Sequence, residues 1–381
     1  MDFDLTEEQG LLRDSVMKLL ADSYSFEQRK AMRAQPRGYD ADHWRRLADL
    51  GLLAMPFAES DDGLGGGPVE VMLVMEAFGR RLVLEPYLAT VVLAGGCLRY
   101  AASDEQRKSW LPHLISGQTT YAFAHIERDA RYDLAHVTTL ARRDGSTWIL
   151  DGVKAYVLHG DSADRLVVSA RIASADGKGS ELALFVVDAT SGGITRRGYP
   201  TQDGLRAADV ELRGVRIDDA NRLRAADALD TIRRVVDEAI AAVCAEAVGT
   251  MERAHEITVD YLKQRKQFGV VIGSFQALQH RAVDMLVMVE QARSMTYFAT
   301  MMVAEPDAAR RSGALSAAKV QVGRSARFVG EQAVQLHGGI GVTEEAAIGH
   351  YYRRLTLLEL LFGDANHHLA ALAQAGGLGD S

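Results

Sequence analysis

Apolar residues recur along this chain with two different periods. Leu12, Val16, Leu19 and Leu20 form a stripe at helical spacing, behind a capping box of Thr6 and Gln9. After the glycine-rich loop Asp61-Asp-Gly-Leu-Gly-Gly-Gly-Pro68, helical patterning returns over residues 69–78, 87–100 and 104–114. Near Thr119 the pattern shortens. Residues 121–126, 147–150, 166–170, 182–187 and 210–212 are β-rich runs, punctuated by Asp144-Gly145, Asp176-Gly177 and Gly192-Gly193. Short strands at this spacing predict a small antiparallel barrel or sandwich. The helical period resumes near residue 226, with helices predicted over 226–264, 275–303, 307–336 and 343–361. Long helices joined by short loops predict an antiparallel bundle. The predicted fold class is therefore α+β. An N-terminal α-helical domain covers 1–118, a middle antiparallel β-barrel domain 119–225, and a C-terminal four-helix bundle 226–381.

Composition narrows the class. The 381 residues are 48% hydrophobic and 25% charged, ordinary for a globular protein. A net charge of -8 argues against a nucleic-acid partner. No apolar run is long enough to span a bilayer, so no membrane role is expected. The start, Met1-Asp-Phe-Asp-Leu-Thr-Glu-Glu, lacks the basic end and apolar centre of a signal peptide. Cys97 and Cys244 sit in apolar surroundings and are predicted to be buried thiols, consistent with a reducing cytoplasm.

Two stretches carry candidate chemistry. Arg265-Lys-Gln-Phe-Gly269, followed by Gly273-Ser-Phe-Gln-Ala-Leu-Gln279, lies where one long helix ends and the next begins. An arginine at such a corner offers a planar fork suited to a phosphate. Phe268 offers a ring face, Gly269 a turn, and Gln276 a donor and acceptor for the edge of a base. The plain alternative is a capped, charged helix end. Gln335-Leu-His-Gly-Gly-Ile-Gly341 supplies another helix end. Gly338 alone would serve as its C-cap, and three glycines in four positions exceed that need.

In this order and spacing, Arg265-Lys-Gln-Phe-Gly269, Phe275-Gln276 and Gln335-Leu-His-Gly-Gly-Ile-Gly341 resemble the signature of the acyl-CoA dehydrogenase family. More narrowly, Gly198-Tyr-Pro-Thr-Gln-Asp-Gly-Leu-Arg206, His280-Arg-Ala-Val-Asp284 and Phe362-Gly-Asp-Ala-Asn-His-His368 resemble pimeloyl-CoA dehydrogenase small subunits. The resemblance implies FAD held between barrel and bundle, and oxidation of the Cα–Cβ bond of an acyl-CoA. A carboxylate takes the α-proton and hydride leaves Cβ for the flavin. It implies that Arg265 and Gln267 contact the FAD diphosphate, that Phe268 packs near the adenine, and that Gln276 approaches the AMP half. Gln335 and Gly339 are expected to reach the FAD of a neighbouring subunit. The implied assembly is a homo- or hetero-oligomer, a dimer of dimers, with a large-subunit partner possible in the mixed case. Electron-transfer flavoprotein is the implied acceptor.

The chain departs from the family pattern in three places. Ile126-Glu-Arg-Asp-Ala-Arg-Tyr-Asp133 stands where Thr-Glu-Pro and then Gly-Ser-Asp are usual, so Ile126 replaces a flavin-holding threonine. In Gly152-Val-Lys-Ala-Tyr-Val-Leu-His-Gly160, Tyr156 takes the aromatic position beside the flavin. Leu158 takes the place of a threonine hydroxyl, and backbone amides at 126 and 158 remain as donors. Phe362 and Ala239 occupy the two positions at which family members carry the glutamate base. Asp364, two residues beyond Phe362, is the candidate base, with Glu238 and Glu359 behind it. Glu238 is turned about 100° from Ala239, and Glu359 lies one turn before Phe362 and about 5 Å away. Each has a plain alternative: a turn cap for Asp364, a solvated face for Glu238, and pairing with Arg353 or Arg354 for Glu359. His367 and His368 are expected to serve a helix end or interface, with no metal. Three readings follow: an enzyme using Asp364, a FAD-sharing partner of a base-bearing chain, or a scaffold without FAD.

Overall fold

A computed structural model describes residues 5–173 and 180–376. Residues 1–4 of the acidic start and the Asp176-Gly177 turn lie outside the described residues. The described chain divides into two compact units. One holds the segments up to Ala31, Pro68–Val83, and from Ile240 onward; the other holds Met32–Gly67 and Leu84–Ala239.

The first unit is helical. It contains α1 (Glu7–Ser23), most of α2 (Phe26–Arg33) and α4 (Pro68–Arg81), with α3 (Ala41–Asp49) belonging to the other unit. The capping box is present, with Thr6 accepting from Gln9 N–H and the Gln9 side chain accepting from Thr6 N–H. Helix α4 packs against the long helix α7 (Ala228–Gln264) at a pair of glycines. A Cβ on Gly79 would lie 2.0 Å from the Glu246 carbonyl oxygen, and one on Gly249 would lie 1.9 Å from that of Glu76. Only hydrogen at both positions lets the two backbones touch. The bundle continues through α8 (Gln276–Met302), α9 (Ala308–His337), α10 (Ala347–Leu360) and α11 (Ala365–Gln374). A buried, bidentate ion pair joins Arg354 of α10 to Glu246 of α7 at 2.6 and 2.7 Å.

The second unit contains α5 (Gly95–Ala101), entered from a π-helix over Leu88–Ala94, then α6 (Asp104–Ile115) and a seven-stranded sheet. Its strands are β1 (Tyr121–Ala124), β2 (Leu140–Asp144), β3 (Thr147–Leu158), β4 (Arg165–Ala173), β5 (Ser180–Asp188), β6 (Ile194–Pro200) and β7 (Arg206–Asp218). Their order is β1-β4-β2-β3-β7-β6, with β5 on β4. Most neighbours are antiparallel, as predicted. The exceptions are β1 and β2, which share one edge of β4 and both run parallel to it. The core inside the sheet includes Trp148, Leu150, Leu166, Phe185, Val210 and Leu212. Both cysteines are free and buried, and burial pushes the Cys244 thiol up to about 12. No helix among the described residues is long and apolar enough to cross a membrane.

Candidate active site

The sheet holds three of the singled-out residues around an irregularity in β3. Lys154 faces Val210 and Val157 faces Ala208, so three steps on β3 match two on β7. This is a β-bulge, a device that re-aims side chains. Tyr156 sits in it with φ 51°, a left-handed conformation costing about 1 kcal/mol or more for a residue with a Cβ. Its N–H reaches Asp209 Oδ1 at 3.4 Å, and the Tyr199 hydroxyl donates to the same oxygen at 3.2 Å. Arg128 holds Asp209 Oδ2 at 3.0 Å. Burial pushes the Asp209 carboxyl up, but these bonds pull it further down, below its ordinary value.

The main-chain N–H groups of Leu158 and Ile126 are not used by the sheet. His159 N–H donates to the Arg206 carbonyl, so the adjoining Leu158–Ala207 pair is the non-hydrogen-bonded kind. Leu158 N–H therefore aims away from β7, at a point where β2 no longer pairs with β3. The Ile126 carbonyl accepts from Ala155 N–H at 2.8 Å, while Ile126 N–H has no acceptor among the described residues.

Beside them lies a buried ion pair that sequence reading missed. Lys154 Nζ donates to Glu127 Oε1 at 2.8 Å, Ser169 Oγ at 3.0 Å and the His125 carbonyl at 3.3 Å. Glu127 also accepts from the Thr138 N–H and hydroxyl and from the Thr139 N–H and hydroxyl. Burial raises the Glu127 carboxyl, yet Lys154 and the threonines outweigh it and hold it down at about 2. Burial lowers Lys154 to about 8 and His125 to about 3. The local signal was slight: Glu127 opens the charged stretch Glu127-Arg-Asp129 just after the run 121–126, and Lys154 is the one cation in Gly152-Val-Lys-Ala-Tyr-Val-Leu158.

In the helical unit, the two glycine-bearing motifs meet. Tyr261, one turn before Arg265, stacks on His337, two residues after Gln335, with ring centroids 4.4 Å apart. Tyr261 hydroxyl also donates to the His337 carbonyl at 3.4 Å. His337 Nδ1–H donates to the Ala333 carbonyl, and burial lowers its pKa. Between α7 and α8 the chain makes a two-residue hairpin, β8 (Lys266–Gln267) with β9 (Val270–Val271). Phe268 at its tip has φ 54° and is 90% exposed, edge-on to Phe275. Arg265, Gln276 and Gln335 are exposed, and none of these side chains has a partner among the described residues. Gln267 is also exposed, its amide turned back to the Lys266 carbonyl. Gly338 and Gly339 are open, with no atom within 4 Å of where a Cβ would stand.

Phe362 has φ 60° and Gly363 φ 118°, between α10 and α11. Lys319, buried on α9, uses all three of its protons on the carbonyls of Leu358, Glu359 and Gly363 at 2.9, 2.7 and 3.0 Å. Asp364 is the N-cap of α11, its Oδ1 accepting His367 N–H at 2.8 Å. Its Oδ2 makes no hydrogen bond among the described residues. Glu359 accepts Ala365 N–H at 3.2 Å. It does not pair with Arg353 or Arg354, which are bound to Glu344 and Glu246. Ala239 is fully buried. Glu238 is not on a freely solvated face: it is half-buried, and Arg99, Arg234 and the Tyr100 hydroxyl all bind it. No group of His, Cys, Asp and Glu among the described residues could hold a metal.

Comparison with known proteins identifies the family to which this arrangement belongs. Three family models cover nearly all of the chain: acyl-CoA dehydrogenase N-terminal domain over 6–118, middle domain over 122–220, and C-terminal domain over 224–377. The acyl-CoA dehydrogenase FadE12 of Mycobacterium tuberculosis is 31% identical over 90% of this chain and 89% of its own. The ChsE4-ChsE5 complex from Mycobacterium tuberculosis superposes with a TM-score of 0.87 at 26% identity, covering 100% of both chains. A Tcur3481-Tcur3483 steroid ACAD variant gives 0.86 at 28% identity and 97% coverage of each. The chain belongs to the acyl-CoA dehydrogenase family of oxidoreductases, whose cofactor is FAD. The residues present fit that cofactor. In the helical unit an exposed guanidinium with no partner among the described residues and an open glycine pair, and in the other unit a main-chain N–H with no acceptor among the described residues, are each of the kind a dinucleotide can use.

Proposed function

We propose that this chain is a FAD-sharing subunit of a two-chain acyl-CoA dehydrogenase, whose base-bearing partner takes the α-proton. One observation supports it above others: the carboxylates nearest both base positions are engaged. Glu238 is held by two arginines, Glu359 by the Ala365 amide, and Asp364 by the cap of α11. The exposure of Arg265, Phe268, Gln276 and Gln335 is in keeping with a second chain, and apolar Val283, Leu286, Ile340 and Val342 are exposed in the same unit. ChsE4-ChsE5, a complex of two named components, is a relative of this arrangement.

In this reading Arg265 and Gln267 hold the diphosphate, Phe268 lies by the adenine, and Gln276 meets the AMP half. Gln335 and Gly339 reach the FAD of the neighbour. Tyr156 flanks the flavin ring, and the N–H groups of Ile126 and Leu158 donate to it. FAD, when bound, accepts the hydride that leaves Cβ. The substrate class is an acyl-CoA, dicarboxylyl or otherwise bulky, as in the pimeloyl-CoA small subunits the sequence resembles. The acceptor is electron-transfer flavoprotein, and the compartment the cytoplasm.

Purification with and without a co-expressed base-bearing homologue tests the proposal. Flavin absorbance and acyl-CoA turnover should appear only in the mixed assembly. A chain that is yellow, homotetrameric and active alone would sink it. The free Oδ2 favours a second reading, in which Asp364 is the base. Asn caps a helix as well as Asp, so Asp364→Asn should keep the fold and abolish turnover in that case.

A further inference from the structure

We propose that the buried Glu127–Lys154 pair is a positioning device that aims the Ile126 N–H at the bound cofactor. The inference rests on the cofactor reading above. Its geometric basis is that each residue of the segment 125–127 is tied to the same two residues of β3. The His125 carbonyl accepts from Lys154, the Ile126 carbonyl accepts from Ala155 N–H, and the Glu127 carboxylate accepts from Lys154. No regular strand pairing does this work, because β1 ends at Ala124. The three ties fix the peptide plane between His125 and Ile126. That plane carries the Ile126 N–H, which nothing in the described chain accepts.

The arrangement is over-built for plain support. Lys154 is fully buried, and its ammonium meets three acceptors, which is all it can serve. Glu127 receives four bonds from Thr138 and Thr139 in addition to Lys154. Such a network costs desolvation, and an apolar pair would hold a sheet as well. What an apolar pair would not do is orient a backbone plane, since dispersion has no direction while hydrogen bonds do. The same β3 segment leads into the bulge that carries Tyr156 and then to the Leu158 N–H. One ion pair thus governs the spacing of both free donors. The loss of the family's threonine at position 126 gives that main-chain geometry more weight, because Ile126 has no hydroxyl to adjust it.

The test uses the mixed assembly with FAD. Variants are Glu127→Gln, which leaves Lys154 unpaired, and the charge-neutral double change Glu127→Gln with Lys154→Met. Ile217→Ala, in the same sheet core and paired with Trp148 rather than with Lys154, is the stability control. The positioning role predicts an FAD dissociation constant raised about tenfold in Glu127→Gln and the double variant, the loss of about one directed hydrogen bond. It also predicts a shifted visible flavin band. Ile217→Ala should lower the unfolding midpoint and leave band and affinity alone. Wild-type band and affinity in the charge-neutral variant would overturn the inference and leave the cofactor reading intact. A wild-type assembly without flavin overturns both. Should neither charged variant fold, Thr139→Val removes one donor to Glu127 and keeps the pair; an unshifted flavin band there overturns the inference as well.

Discussion

Tyr156, Phe268 and Phe362 all hold left-handed backbone at positions the sequence had already singled out for chemistry. Each carries strain of about 1 kcal/mol or more, and strain of that kind concentrates where a side chain is aimed for use. Phe268 is the clearest case, because its ring is almost wholly exposed and contributes little burial. Phe268→Gly should therefore leave the urea midpoint within about 1 kcal/mol of wild type, since glycine accepts positive φ freely. FAD retention through gel filtration should fall. Equal loss of both would show that the ring is structural. Lys319 makes the opposite kind of residue-scale claim. Lys319→Met leaves three carbonyls of the α10 terminus and loop short of donors, and should cost about 3 kcal/mol by chemical denaturation.

At the scale of elements, close backbone contact between α4 and α7 depends on Gly79 and Gly249. Gly249→Ala would place a methyl against the Glu76 carbonyl, where only helix separation relieves it. We expect a loss of about 3 kcal/mol or more, with Gly79→Ala similar, measured as a shift in unfolding midpoint. A neutral result would mean that the helices part without cost. The elements were legible in the sequence where burial imposes a period. The stripe of α1, the long α7, α8 and α9, and the apolar strands β3, β4, β5 and β7 all follow from spacing. Strands β2 and β6 were not seen, because Leu140-Ala-Arg-Arg-Asp144 and Ile194-Thr-Arg-Arg-Gly-Tyr-Pro200 are largely exposed and carry paired arginines. Helix α2, Phe-Glu-Gln-Arg-Lys-Ala-Met-Arg, is polar nearly all round and was missed for the same reason. The motifs named the exposed cofactor residues but not Glu127 with Lys154 or Tyr261 with His337, since a contact between distant positions leaves no local period.

For the molecule as a whole, buried histidines set the acid limit. Burial first, then the neighbouring Lys154, lowers His125 to about 3. Burial, then Lys319 and His367, lowers His368 to about 4, while its Nδ1 lies 3.0 Å from Ser316 Oγ. Both start from an ordinary value of 6.5. A histidine with a lowered folded pKa binds fewer protons folded than unfolded throughout the window between the two values. Stability is then complete above 6.5 and falls as pH falls, by up to about 1.4 kcal/mol per pH unit for each such histidine. One of these residues lies in each compact unit, so both units should lose stability between pH 6.5 and 4. Glu127, held at about 2, extends the same sign to lower pH. His368→Asn keeps a hydrogen-bonding group near Ser316 and removes the titration. Unfolding free energies measured at steps from pH 7 to 4 should then show a slope shallower by about one proton in the helical unit. A slope identical to wild type would place the acid sensitivity elsewhere, in carboxylates such as Glu127 that are paired when folded.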